Sequence, residues 1–233
     1  MNRLAIVGYG KMGRRIEELA PAHGFTVAVK LDEHNNANFE GITREAFRDI
    51  DVAIDFSVPS AVVENVERIA DLGVSVVIGT TGWLEQLHYI KNIVERSGIG
   101  LVWSPNYSVG VNAFFRLVSE AARLLALETE YESWAYEVHH SAKKDAPSGT
   151  LLKLIEDMRR AGYARAIDVA SNRAGAHPGT HEIGFDSIFD TITLRHTARS
   201  RDGFAHGALK AAQWVAGKKG FYEFGEILFS EIT

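Results

Sequence analysis

The chain has 233 residues, a formal net charge of -5 and no cysteine. That length suits one large domain or two modest ones, each able to bury a core. An acidic balance without a concentrated basic run argues against nucleic acid as the main partner, and the missing thiols exclude disulfides, thiolate metal sites and thiol catalysis. Apolar runs are too short for a membrane span, and Met1-Asn2-Arg3 leads straight into an apolar strand, so a cytoplasmic protein that uses no membrane is expected.

Leu4-Ala5-Ile6-Val7 predicts a short buried strand, and Gly8-Tyr9-Gly10-Lys11-Met12-Gly13 follows at once. A helix then begins, with Ile16, Leu19 and Ala20 on its inner face. Strand, GxGxxG turn and helix in that order form the dinucleotide-binding arrangement, because the glycines allow a tight turn and let a pyrophosphate approach the helix N-terminus. The second strand, over 26–31, ends at Asp32, about twenty residues beyond the loop, where an acid binds the adenosine ribose hydroxyls of NAD. Glu33 follows, and no arginine stands beside it to accept a 2′-phosphate, although Lys11, Arg14 and Lys30 are near. The balance favours NADH and leaves NADPH open.

Three further strands are predicted over 52–56, 74–78 and 99–103, separated by helices over 61–72 and 84–97. Such alternation implies a parallel sheet with right-handed crossovers, whose ligands bind off the carboxyl ends of the strands. Ser57, Gly79-Thr80-Thr81 and Asn106-Tyr107 stand at those ends, where small and polar groups leave room for the nicotinamide half of a cofactor.

The rhythm then changes. A helix over 111–126 carries Phe114, Phe115, Leu117, Val118 and Ala121, and a strand over 133–138 delivers the stretch from Glu137 to Thr150. There two adjacent imidazoles, His139 and His140, precede Lys143 and the turn Pro147-Ser148-Gly149-Thr150. Histidine can protonate a substrate near neutral pH, lysine offers a compact positive charge, and a helix opening after Ser148 presents free N–H groups to an anion. The blander alternative is a surface loop with incidental histidines. Beyond the next helix, at about 150–161, the chain reads as β-structure to about residue 201, with 180–185 and 191–197 alternating like antiparallel strands. Trp134, Tyr136, Phe185, Ile188 and Phe189 would give that sheet an apolar face suited to a second subunit. A last helix over 204–216, ended by Gly217-Lys218-Lys219-Gly220, returns to the first domain. Ser108-Val109-Gly110 and Arg201-Asp202-Gly203 read as hinges. No metal site is expected, because neighbours such as His139 and His140 on a strand point to opposite faces.

These residues together resemble the 4-hydroxy-tetrahydrodipicolinate reductase family, also called dihydrodipicolinate reductase. The resemblance runs through the glycine loop, Ile54-Asp55-Phe56-Ser57, Ile78-Gly79-Thr80-Thr81-Gly82 and Pro105 to Asn112. It continues through the Glu137–Thr150 stretch, Arg173-Ala174-Gly175, Gly179-Thr180-His181, Ser200-Arg201 and Phe204-Ala205-His206-Gly207. It implies an α/β protein: a Rossmann-type parallel-sheet domain over 1–108, completed by 204–233, and a smaller α+β domain with an open mixed sheet over 109–203. The second domain would bind the substrate and join four subunits into a homotetramer. The reaction implied is hydride transfer from NADH or NADPH to C4 of a small cyclic dicarboxylate, with loss of its hydroxyl as water, on the diaminopimelate route to lysine. By position, His139 matches a general acid/base and Lys143 a proton donor or substrate-binding charge. His140, Gly149 and Thr150 match substrate contacts, with Ser148 as their cap. Gly8, Tyr9, Gly10, Lys11, Met12 and Gly13 with Asp32, Gly79, Thr80, Thr81, Ser104, Pro105, Asn106 and Tyr107 match the cofactor side.

Four departures stand out. The glycine loop is one residue shorter than in many members, and Leu151 replaces the usual alanine. Ser141-Ala142 replaces bulkier basic residues, and no arginine follows Asp32. Two rivals are another two-domain NAD-dependent oxidoreductase, such as an aspartate-type dehydrogenase, and a non-catalytic NAD sensor. The Pro-Ser-Gly-Thr turn speaks against the first, and the presence of both His139 and Lys143 against the second.

Overall fold

A computed structural model describes residues 1–230, which divide into two compact units, Met1–Ser108 with Phe204 onward, and Val109–Gly203. The first contains a six-stranded, all-parallel sheet in the order β10-β5-β4-β3-β1-β2. Its strands are β1 (Asn2–Val7), β2 (Phe25–Leu31), β3 (Val52–Asp55), β4 (Ser75–Ile78), β5 (Gly100–Trp103) and β10 (Gly220–Glu223). The crossovers carry helices α1 (Lys11–Leu19), α2 (Val62–Asp71) and α3 (Leu87–Ser97). β1, β3 and β4 run as near-continuous apolar segments because both faces of a parallel sheet are covered; Leu4, Ile6, Ile54 and Ile78 are wholly buried. The chain places β2 on one side of β1 and β3 on the other, so the order reverses there and a crevice opens at the strand ends.

β10 and the short helix α7 (Phe224–Ile227) were not legible in the sequence, where Gly217 to Gly220 read only as a helix end. β10 has four half-buried residues on the sheet edge, too few to show an apolar period. Residues 231–233, the end of the first domain as expected from sequence, lie outside the described residues.

The second unit is a four-stranded mixed sheet, β7-β6-β8-β9, formed by β6 (Glu132–His139), β7 (Ile167–Arg173), β8 (Thr180–Asp186) and β9 (Thr191–Thr197). β7 runs parallel to β6, whereas β8 and β9 pair antiparallel. Helices α4 (Val109–Leu125) and α5 (Gly149–Arg160) pack together over one face. Alternation along β6 sends Ser133, Ala135, Glu137 and His139 inward and Trp134, Tyr136 and Val138 outward. Arg165 closes the end of α4 by donating to the carbonyls of Leu125 and Ala126, which have no partner within the helix.

One expectation is corrected here. Phe185 does not join the outward apolar face: it is fully buried with Ala135 and Ile183 against α4 and α5, because its position on β8 is in phase with the inward residues of β6. Trp134 lies on the outward side, its ring lying where a Gly184 side chain would be, and Ile188 and Phe189 stay exposed at the β8–β9 turn. The joins read as hinges, Ser108-Val109-Gly110 and Arg201-Asp202-Gly203, fall where the two units divide, and each runs into a helix. Val109 and Gly110 form the first turn of α4, and Asp202 and Gly203 that of α6 (Asp202–Val215). First-turn residues need no backbone N–H partner within the helix, so glycine costs little there.

Candidate active site

The glycine loop behaves as its spacing requires. Gly8 has a φ of +92°, and a Cβ there would stand 2.3 Å from the Phe56 carbonyl oxygen. At Gly13 a Cβ would meet the Gly8 carbonyl at 2.7 Å, so α1 packs onto the loop only without a side chain. Gly10, by contrast, faces open space. A cleft of about 650 Å³ opens there, lined by Gly8, Tyr9, Gly10, Arg14, Asp32 and Ser57 among others. Within it, Asp32 Oδ1 accepts from the backbone N–H of His34 at 2.9 Å and of Asn35 at 3.2 Å, and these bonds hold its carboxyl below the usual range. Lys30 is held by Glu17 at 3.0 Å, and Tyr9 also donates to Glu17, which leaves Arg14 as the basic side chain lining the cleft.

The other cofactor-side residues fall outside this cleft's lining. Lys11 is exposed, Met12 half-buried, and Thr81 and Pro105 exposed. Gly79 has no space for a side chain because the Phe56 ring lies 2.1 Å from the Cβ position. Thr80, Ser104 and Tyr107 direct their hydroxyls inward. Thr80 donates to Asp55 Oδ1 at 2.7 Å, Ser104 to the Asn106 carbonyl at 2.8 Å, and Tyr107 to the Ile78 carbonyl at 2.9 Å. These side chains brace the strand ends. Asp55, the partner of Thr80, had no assigned role in the sequence reading; it is wholly buried and also accepts from Ser57 and Asn65. Burial pushes its carboxyl up, against those donors.

In the second unit the candidate residues converge at the end of β6. His139 is almost buried, with Nδ1 3.4 Å from Glu137 Oε2, because residues i and i+2 of a strand share a face. Glu137 is wholly buried, and its Oε1 accepts from Ser148 N, Ser171 Oγ and Arg173 Nη2, each at 2.9 Å. Burial alone would raise this carboxyl, but those bonds outweigh it and hold the pKa at about 2. His181 arrives from β8, directly opposite Glu137, with Nε2 3.5 Å from Oε2 and 3.1 Å from Ser148 Oγ. Burial, reinforced by His139, lowers its pKa to about 4. Burial likewise lowers that of His139, opposed by the Glu137 charge.

Ser148 caps α5 by accepting from Leu151 N at 3.2 Å, while Gly149 is exposed with open space around it and Thr150 is half-buried. Lys143, half-buried, pairs with Asp145 at 2.8 Å, and His140, just past the end of β6, is half-buried. The structure thus brings His139, Ser148 and the start of α5 together and leaves His140 apart from the buried cluster. Glu137, Arg173, Ser171 and His181 had no assigned role in the sequence reading. The alternation Glu137–His139 could have flagged the first; the others needed strand pairing. Glu137, His139 and His181 offer donor atoms within 4.8 Å of one another, a proximity that the adjacency of His139 and His140 does not reveal. Arg173 already supplies the positive charge on that carboxylate.

A glycine-loop cleft on one unit, and an imidazole, an ammonium and a helix N-terminus on the other, define a nicotinamide-dependent oxidoreductase. Comparison with known families narrows the class. Residues 2–107 match the dihydrodipicolinate reductase N-terminal family model and residues 110–228 the dihydrodipicolinate reductase C-terminal one. The 4-hydroxy-tetrahydrodipicolinate reductase of Christiangramia forsetii is 34% identical over 97% of both chains, and that of Methanoregula boonei 37% identical over the full length of both. The fold is shared with a dipicolinate-bound dihydrodipicolinate reductase from Paenisporosarcina sp. TG-14, with a TM-score of 0.82 at 24% identity over 97% of this chain and 99% of that one. The chain belongs to the dihydrodipicolinate reductase family. Membership does not favour either the aspartate-type dehydrogenase or the non-catalytic sensor.

Proposed function

We propose that the protein reduces 4-hydroxy-tetrahydrodipicolinate to tetrahydrodipicolinate with NAD(P)H, in the diaminopimelate route to lysine. The observation that carries this reading is the placement of His139 beside the capped start of α5, with Lys143 on the connecting loop. A cyclic dicarboxylate needs its negative charge offset and one proton delivered. The free N–H groups of Gly149 and Thr150 and the Lys143 ammonium suit the first task. His139 suits the second, with Lys143 as the other group able to donate. Sitting almost buried, His139 has its positive form disfavoured by desolvation, and an arriving dianion would offset that and load the ring with a proton. His140 and Ser148 complete the substrate side, the latter by fixing the helix start.

The dinucleotide fits the first unit by the same kind of test: Gly8 and Gly13 are positions a Cβ would fill, and Gly10 opens onto the cleft. When bound there, the nicotinamide supplies the hydride. Gly8 to Gly13 would hold the pyrophosphate, Asp32 the ribose, and the backbone around Gly79–Thr81 and Ser104–Tyr107 would border the ring. Asp32 beside Glu33, with Lys30 occupied by Glu17, supports NADH as at least the equal of NADPH. The outward side of the second sheet, with Trp134, Tyr136 and the exposed Ile188 and Phe189, supports assembly of four chains through it. No described helix is long and apolar enough to cross a membrane, and we place the enzyme in the cytoplasm.

The test follows the loss of NADH absorbance with the substrate generated in situ by the preceding synthase from pyruvate and aspartate semialdehyde. Oxidation of NADH dependent on both enzymes supports the reading; no oxidation beyond the synthase-free control overturns it.

A further inference from the structure

Glu137 touches both halves of the candidate substrate site, one with each carboxylate oxygen. Oε1 receives Ser148 N, at the cap of α5, together with Ser171 Oγ and Arg173 Nη2. Oε2 has no conventional hydrogen bond and is enclosed, and so is His139 Nδ1, the two standing 3.4 Å apart. Two enclosed polar atoms left without other partners satisfy one another only if a proton lies between them. With Glu137 ionised, that proton belongs on His139 Nδ1. His181 does not compete for the role. His181 Nε2 stands 3.5 Å from Oε2 and already has Ser148 Oγ at 3.1 Å, whereas His139 Nδ1 is nearer to Oε2, at 3.4 Å, and has no other partner.

On the reading that His139 delivers the substrate proton, we propose that Glu137 is its positioning residue. Its Oε2 holds the imidazole by Nδ1 so that Nε2 meets the substrate, while Oε1 fixes the start of α5 that receives the carboxylate. One buried side chain thereby sets the spacing between proton donor and anion site. The Nε2 edge of the ring runs along Gly179, where a Cβ would stand 3.1 Å from Nε2 and Cδ2, and Gly179 has a φ of +132° that excludes most side chains. The carboxylate thus holds the Nδ1 edge, while the missing side chain at Gly179 keeps the Nε2 edge from being filled. The remaining charges around His139 are Lys143, Arg173 and Asp145, and none of these holds Nδ1.

The first measurement uses the wild-type protein. ¹⁵N-labelled histidine spectra, with the His139 signal assigned by its loss in His139→Gln, are expected to show the neutral ring protonated at Nδ1. An Nε2–H tautomer would overturn the proposal whatever any variant does. The second uses Glu137→Gln, whose amide would donate toward Nδ1 and favour the wrong tautomer. We expect kcat to fall by about 10²–10⁴, KM and NADH affinity to change far less, and the limb of the kcat/KM profile that reports His139 to move to lower pH. Glu137→Asp should recover part of kcat. A Glu137→Gln enzyme with unchanged kcat and pH profile refutes positioning; if that variant does not fold, the wild-type tautomer decides. Should the wild type show no reductase turnover, the proposed function falls, and the tautomer still decides whether Glu137 orients His139.

Discussion

Gly207 and Tyr107 meet backbone against backbone: a Cβ on Gly207 would lie 1.7 Å from the Tyr107 carbonyl oxygen. Helix α6 therefore rests directly on the chain leaving β5, where the Tyr107 hydroxyl already ties the ends of β4 and β5 together. The obstacle is backbone, which cannot rotate aside as a side chain can. Gly207→Ala should cost about 3 kcal/mol or more, at the upper end of overpacking effects. Thermal unfolding followed by circular dichroism measures it, and a Tm within a degree of wild type would show that α6 shifts freely.

His139→Ala and Lys143→Ala should each lower kcat by about 10²–10⁴ and leave the NADH Kd nearly unchanged. Both residues belong to the second unit, whereas the glycine-loop cleft belongs to the first. Fluorescence titration of NADH alongside steady-state kinetics checks the division. Equal losses of NADH affinity and turnover would contradict it.

The buried His181 makes stability depend on pH. Its pKa falls from the ordinary 6.5 to about 4 on folding, so between those values the unfolded chain binds the extra proton. Stability is complete above about pH 6.5 and declines as pH drops toward 4, by at most about 3 kcal/mol from this group. His181→Gln should flatten that slope in Tm measured from pH 4.5 to 7. Parallel slopes for the two proteins would assign the dependence to other groups.

For cofactor choice, kcat/KM with NADH should equal or exceed that with NADPH. A 2′-phosphate placed near Asp32 and Glu33 meets like charges, and each such pair at about 4 Å costs about 1 kcal/mol even in water. Arg14 is the basic side chain lining the cleft, so Arg14→Ala should reduce NADPH use more than NADH use. A clear preference for NADPH in the wild type would refute the expectation.

Assembly is tested by light scattering after size exclusion. A mass four times that of the 25.7 kDa chain is expected. Asp substitutions at Ile188 and Phe189, which are 90% and 71% exposed in the single chain, should shift it downward if the hairpin contributes to the contacts. A monomer in the wild type at micromolar concentration would exclude the tetramer.

The local features were decided by sequence alone. Leu4 to Gly13 specifies strand, turn and helix because each glycine answers a steric demand within a few residues of itself, and the apolar strands at 52–55, 75–78 and 100–103 follow from burial on both faces. Ser148 as a helix cap is equally local. The tertiary structure decided what depends on pairing between distant segments. Phe185 turned inward because its register against β6 fixes its face, and β10 was recognisable only through its hydrogen bonds to β5. The same holds for the core of the site. Glu137 and His139 are two residues apart, but Arg173 and His181 reach them from β7 and β8, more than thirty residues along the chain. A linear pattern shows which chemical groups a chain carries; only the strand register determines which of them share one buried carboxylate.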